Sequence, residues 1–199
     1  MITIGLTGSI GMGKSTTARV FAEAGAYLWD ADAAVHRLYG EGGAGARAIE
    51  ALAPAAVSDG AVDRAALRDA IIADQTLLKK VEAAIHPLVA ADRAEALTRA
   101  SADGYEVAVL DIPLIFETGA EDAFDHIVVV SAPADIQRAR VLERPGMSNE
   151  AFEAILAKQV PDAKKRARAD FIVETGDGME AARTQVAAIM EQVREASDA

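Results

Sequence analysis

The chain contains no cysteine. That absence removes disulfides, thiolate zinc sites and thiol nucleophiles together, so any metal it uses is expected to be a hard cation held by oxygen. Long apolar runs are missing too. None approaches the roughly 18 residues of a membrane span, and the start Met1-Ile2-Thr3 carries no basic leader, so a cytoplasmic protein without a membrane partner is expected. Positive charge is the scarcer sign: 20 Lys and Arg stand against 31 Asp and Glu, a net charge of −11. This balance speaks against nucleic acid as a partner, because such binding needs a basic footprint. A phosphorylated ligand would then need local positive charge, which the chain concentrates at Lys14, at Arg138, Arg140 and Arg144, and at Lys164-Lys165-Arg166 with Arg168. Taken one at a time, such residues usually solvate a helix face.

What is present is enough apolar material for a full core: 51% hydrophobic residues in a chain of 199, a length that suits one domain with an inserted subdomain. Its most informative stretch is Gly8-Ser9-Ile10-Gly11-Met12-Gly13-Lys14-Ser15. The spacing fits G-x-x-x-x-G-K-[ST], the phosphate-cradling loop of P-loop proteins. Glycines at 8, 11 and 13 let the backbone curl so that successive N–H groups point inward, and the helix that follows adds the positive end of its dipole. Lys14 would stand against the β- and γ-phosphates of ATP, the Ser15 hydroxyl would bind a bridging Mg2+, and Thr16 continues the turn. The flanks agree: Ile2 to Leu6 reads as a buried strand, and Thr17, Val20, Phe21 and Ala24 recur at helical spacing. The dinucleotide pattern G-x-G-x-x-G fails on spacing.

Further along, Tyr27-Leu28-Trp29 reads as a short strand delivering Asp30-Ala31-Asp32 at its carboxyl end, where open α/β sheets bind ligands. One aspartate suits a base and the other a helix N-cap. From Ala46 to Ala102 no strand is expected. Helices are read at Arg47 to Leu52, Arg64 to Ile72 with Asp63 as N-cap, Leu77 to Ile85, and Leu88 to Ala100 with Pro87 at the helix start. An all-helical insertion of this size is the natural grip for a second substrate. His86 either contacts a phosphate there or shapes that helix start. Val107 to Asp111 has the form of a Walker B strand, whose acid holds magnesium or one of its waters. The apolar stretch Ile112-Pro113-Leu114-Ile115-Phe116-Glu117 is either core packing or a pocket wall. His126 to Val130 and Phe171 to Val173 complete a set of five strands separated by helices, hence a parallel sheet wrapped on both faces. Between these two strands the helical segment carries Arg138, Arg140 and Arg144, the last two expected on one helical face as a mobile cover for phosphates. Met179 to Glu195 reads as an amphipathic closing helix.

Taken in order, these segments resemble the dephospho-CoA kinases. The resemblance rests on Gly5 to Ser15, Asp30-Ala31-Asp32, Ile85-His86-Pro87, Asp111-Ile112-Pro113-Leu114-Ile115-Phe116-Glu117, Gln137 with Arg140 and Arg144, Gln159, and Ala169-Asp170-Phe171, and covers nearly the whole chain. It implies a P-loop NTPase fold over residues 1–199, with a helical acceptor-binding region at 33–102 and a lid at 138–168. It also implies transfer of the γ-phosphoryl of ATP to the ribose 3′-hydroxyl of dephospho-CoA, with Asp32 as base and Arg140 as a lid arginine on the nucleotide. Asp32, His86, Pro113 and Leu114 would meet the acceptor, and Ser15 and Asp111 the magnesium. A monomer is expected. Where many members carry Asp-Asn after the last strand, this chain has Glu174-Thr175, and Ala90 stands where an arginine is frequent. Other small-molecule kinases, of the nucleoside monophosphate or shikimate type, share loop, lid and size. A GTPase would need an Asn-Lys-x-Asp stretch, and the chain has none.

Overall fold

The structure is a computed structural model and describes residues 1–197. It divides into two compact units, one built from Met1–Trp29 with the chain from Ala100 onward and one from Asp30–Arg99.

The first unit opens with β1 (Ile2–Thr7), α1 (Lys14–Glu23) and β2 (Tyr27–Asp30). The second contains α2 (Ala31–Tyr39), α3 (Ala44–Leu52), β3 (Val57–Ser58), β4 (Ala61–Val62), α4 (Arg64–Ala73) and most of α5 (Gln75–Ala102). The chain then supplies β5 (Val107–Asp111), α6 (Ile115–Thr118), β6 (His126–Ser131), α7 (Ala134–Leu142), α8 (Asn149–Leu156), α9 (Asp162–Arg166), β7 (Phe171–Glu174) and α10 (Met179–Ser197).

The expected fold class is present: a five-stranded parallel sheet flanked by helices, in the order β2-β5-β1-β6-β7. Every residue of β5 is buried, as a central strand covered on both faces requires. Alternation assigns the two faces. Ile4, Leu6, Val107, Val109, Val128 and Val130 pack with Phe21 of α1 and with Val186, Ile189 and Met190 of α10. Ile127 and Val129 turn the other way, to Ile115 and Phe116 of α6 and to Val160 and Ala169. Because β1 lies between β5 and β6, with Leu6 opposite Asp111 and Thr7 opposite Val129, its carboxyl end leaves from the middle of the sheet. The phosphate loop starts there.

The second unit packs Ile49, Leu67, Leu77, Val81 and Ile85 against one another, with Leu52, Leu88 and Val89 at the margin. Asp63 caps α4 as expected, accepting the Ala65 and Ala66 N–H groups at 2.8 and 3.1 Å. Two expectations fail in this unit. The stretch taken to lack strands contains the β3–β4 hairpin, closed by Asp59-Gly60 with φ of 51° and 73°, the paired positive values of a type I′ turn. Pro87 does not start a helix; it stands inside the single 28-residue α5. Its missing N–H leaves the Ala83 carbonyl without an intrahelical donor, but both residues are exposed, so water can satisfy that oxygen. Among the described residues no helix is long and apolar enough to cross a membrane.

Candidate nucleotide site and phosphate loop

The loop from Gly8 to Gly13 joins β1 to α1. Gly11 and Gly13 have φ of +79° and +93°, which side chains other than glycine rarely adopt. Space is as restrictive as the torsion. A Cβ at Gly11 would lie 2.4 Å from Val141 Cγ2 of α7, and one at Gly13 would lie 3.2 Å from Thr175 Oγ1. Gly13 is also the N-cap of α1 and offers no side-chain bond to it, and no acid stands in that helix's first turn. The helices α2, α4 and α8, by contrast, are capped by Asp30, Asp63 and Ser148. The first N–H groups of α1 therefore keep their donor capacity and dipole for an anion.

Lys14 Nζ makes an ion pair with Asp111 Oδ1 at the carboxyl end of β5. The side chains are 15% and 3% exposed, so both charges are largely removed from water. Ser15 is exposed one residue further on, and Thr16 N–H closes the first turn onto Gly13 O at 3.1 Å. Thr7 Oγ1 donates to Pro113 O at 2.9 Å, which ties the end of β1 to the segment after β5. Leu114, next along, is 43% exposed.

A cavity of about 250 Å3 opens beside the loop, lined by Gly13, Thr16, Arg140, Thr175 and Met179. Arg140 is turned onto Thr175: Nη1 donates to the hydroxyl and Nη2 to the carbonyl, both at 2.8 Å. Thr175 Oγ1 in turn lies 2.7 Å from Met12 O as its donor. A residue that the sequence marked only as a departure thus joins the lid-segment arginine to the phosphate loop. Nothing local could have announced it, since Thr175 and Met12 are 163 positions apart.

The other arginines of that segment are placed differently from expectation. Arg138 is committed to α8, with 2.7 Å contacts to Glu153 and Asn149. Arg144 does not share a helical face with Arg140, because α7 ends at Leu142. The cause is local: Arg144 precedes Pro145, whose ring disfavours helical torsions in the residue before it. Lys165 of α9 is fully buried and pairs with Glu117 Oε1 at 2.9 Å, while the same oxygen accepts the Val160 N–H at 2.8 Å. Burial pushes the Glu117 carboxyl up, but the Lys165 ammonium and the Val160 N–H outweigh it and hold its pKa below the usual carboxylate value.

Asp32 and His86 stand in the helical unit. Asp30 takes the cap of α2, accepting the Ala33 N–H at 2.8 Å, which leaves Asp32 as an exposed carboxylate in the first turn of that helix. His86 is exposed on α5. Among the described residues no group of three or more His, Asp or Glu is arranged as a metal cage. Magnesium needs none, since it takes one or two protein oxygens and completes its shell with phosphates and water. The Ser15 hydroxyl and the Asp111 carboxylate are donors of that kind.

A glycine-curled loop leaving the centre of a parallel sheet, with an uncapped helix behind it and a sheet-end acid on its lysine, defines a P-loop nucleotide-binding protein. The CoaE family model, described as Dephospho-CoA kinase, matches residues 2–180. A dephospho-CoA kinase of Mesorhizobium japonicum is 57% identical over 194 residues, which cover 98% of each chain. The chain belongs to the dephospho-CoA kinase family. Among solved structures, the dephospho-CoA kinase of Campylobacter jejuni superposes with a TM-score of 0.72 at 23% identity, over 98% of both chains. A shikimate kinase of Acinetobacter baumannii shares the fold alone, with a TM-score of 0.52 at 17% identity over 98% of this chain and 94% of its own.

Proposed function

We propose that this chain transfers the γ-phosphoryl group of ATP to the ribose 3′-hydroxyl of dephospho-CoA, giving CoA and ADP, with Mg2+ accompanying the nucleotide. The observation that carries the reading is the curled loop ending in Lys14, paired with Asp111, in a chain of this family. In the proposed roles, the amides of Gly8, Gly11, Met12, Gly13, Lys14, Ser15 and Thr16 cradle the phosphates, and Lys14 moves from Asp111 to the β- and γ-oxygens. Ser15 and Asp111 would hold the magnesium, which spreads charge over the phosphates when bound. Arg140 turns from Thr175 toward the nucleotide as the 138–168 segment acts as a lid.

Asp32 accepts the proton of the 3′-hydroxyl as that oxygen forms its bond to the γ-phosphorus, and the bond from the γ-phosphorus to the β–γ bridging oxygen breaks to release ADP. Residues 33–102, with His86, Pro113 and Leu114, meet the acceptor. Most of the acceleration comes from position and from charge already arranged, because phosphoryl transfer leaves the protein little covalent chemistry to do. The reading includes a cytoplasmic monomer that binds neither nucleic acid nor membrane.

The test is direct. The protein is incubated with ATP, magnesium and dephospho-CoA, and the acceptor is followed by mass spectrometry. A gain of one phosphoryl group on dephospho-CoA, faster than on shikimate or any nucleoside monophosphate, is expected; preference for one of those acceptors overturns the assignment.

A further inference from the structure

Two glutamines that the family resemblance brought forward without a role meet at one residue of the phosphate loop. Gln159 Oε1 accepts the Ile10 N–H at 3.1 Å, and Gln137 Nε2 donates to Ile10 O at 2.7 Å. The polarity is fixed by the backbone, since an N–H only donates and a carbonyl only accepts. Gln159 must therefore present its oxygen and Gln137 its nitrogen. The Ile10 N–H and C=O belong to successive peptide groups, so the two side chains hold the planes on either side of one α-carbon.

The loop itself supplies little to hold those planes. Its internal turn is closed by the Met12 N–H to Ser9 O bond at 3.2 Å, and neither polar group of Ile10 takes part. Packing alone does not fix the glutamines either: both border a cavity of about 270 Å3 with Ser9, Met12 and Leu156. Their backbones, however, are anchored. Gln137 is 5% exposed on α7, the helix that presses Val141 against Gly11. Gln159 precedes Val160, whose N–H is held by Glu117 of the buried pair with Lys165.

We propose that Gln137 and Gln159 form a clamp of positioning residues on Ile10 that sets the orientation of the following loop amides for the nucleotide phosphates. The clamp rests on the phosphate-loop reading above and deepens it. An amide ring held in place before ATP arrives spares the ligand the cost of ordering it. Without the Gln137 donor the Ile10 carbonyl would rotate toward another donor and take the Gly11 amide with it.

The experiment uses opposite polarity at equal charge. In Gln159→Glu a carboxylate oxygen still accepts the Ile10 N–H; in Gln137→Glu an oxygen replaces the donor and faces a carbonyl oxygen. Both variants add one negative charge beside Ile10, so the difference between them reads the hydrogen bonds. Binding of a non-hydrolysable ATP analogue with magnesium is expected to weaken about tenfold more in Gln137→Glu than in Gln159→Glu, the loss typical of a stranded polar group. The KM for ATP should rise with it while the KM for dephospho-CoA stays. A purely structural role would lower the melting temperature or the active fraction without separating the two KM values. Equal ATP affinity in the two variants overturns the clamp. If Gln137→Glu does not fold, Gln137→Met and Gln159→Met remove the contacts without charge, and an unchanged KM for ATP in both overturns it as well. Lys14→Ala separates the two levels: if it binds the analogue as tightly as the parent, the phosphate-loop reading fails, whereas silent glutamine variants beside a defective Lys14→Ala reject the clamp alone.

Discussion

The sheet unit and the helical unit are held together in different ways. In the sheet unit the short segment from Gly8 to Gly13 is fixed from several directions: Val130 behind Gly8, the glutamines on Ile10, Val141 over Gly11, and Thr175 against Met12 and Gly13. Nearly every one of those contacts has a defined direction, because it is a hydrogen bond or a forbidden Cβ. The helical unit relies on interchangeable aliphatic contacts among Ile49, Leu67, Leu77, Val81 and Ile85, with aspartates at its helix starts. Directional contacts suit a ligand of fixed shape such as a triphosphate.

This contrast predicts that damage in one unit should spare the property carried by the other. The largest effect is expected for Asp32→Asn, which should lower kcat by about a thousandfold, the range of a lost general base, while ATP affinity measured by calorimetry stays put. Near-normal turnover would remove Asp32 from the chemistry. Next comes Glu117→Gln, which leaves the fully buried Lys165 without its counter-charge and should cost about 3–5 kcal/mol at neutral pH, read by urea unfolding. The acid dependence has a definite sign. Since the folded Glu117 pKa is depressed, its contribution is complete above the ordinary carboxyl value of about 4.3 and is lost as pH falls through the folded value. The parent should therefore lose stability there and Glu117→Gln should not; parallel acid profiles would show that the pair is not the source.

A smaller loss, about 2–4 kcal/mol, is expected for Ile49→Ala, which empties a fully buried site of the helical core. Here the comparison is at its sharpest, because ATP affinity should not follow stability down, and a matching fall would mean that the two units share one cooperative core. The smallest effect is a gain. Pro87→Ala should stabilise the protein by about 1 kcal/mol by restoring the helical bond to Ala83 O, visible as a higher melting temperature. A loss instead would show that α5 needs its proline.

How much could be read from the chain alone follows the same division. The five sheet strands were legible as apolar runs, and the loop as glycines at required spacings, because both are local requirements on the backbone. The order β2-β5-β1-β6-β7 was not, since it depends on which runs meet after folding. In the helical unit the caps at Asp30 and Asp63 lay within reach of sequence rules, whereas the Asp59-Gly60 turn is flanked by strands of two residues each, too short to show an apolar alternation. Pro87 misled in the opposite direction: helices usually avoid an interior proline, but an exposed one costs less because water reaches the orphaned carbonyl. The Ile10 contacts span 127 and 149 positions, beyond any local rule.

The ion pair between Lys14 and Asp111 has a consequence for what the loop attracts. Its strongest cation is already neutralised by a carboxylate of the same protein, so an incoming anion enters as a competitor rather than filling a vacant positive hole. A bare inorganic ion that pulled the lysine away would break an ion pair whose acid is 3% exposed. A ligand arriving with a cation of its own leaves that acid a replacement. If Asp111 holds the magnesium as proposed, such an exchange would favour a metal-bound triphosphate over inorganic phosphate or sulfate through charge balance, before any recognition of base or sugar.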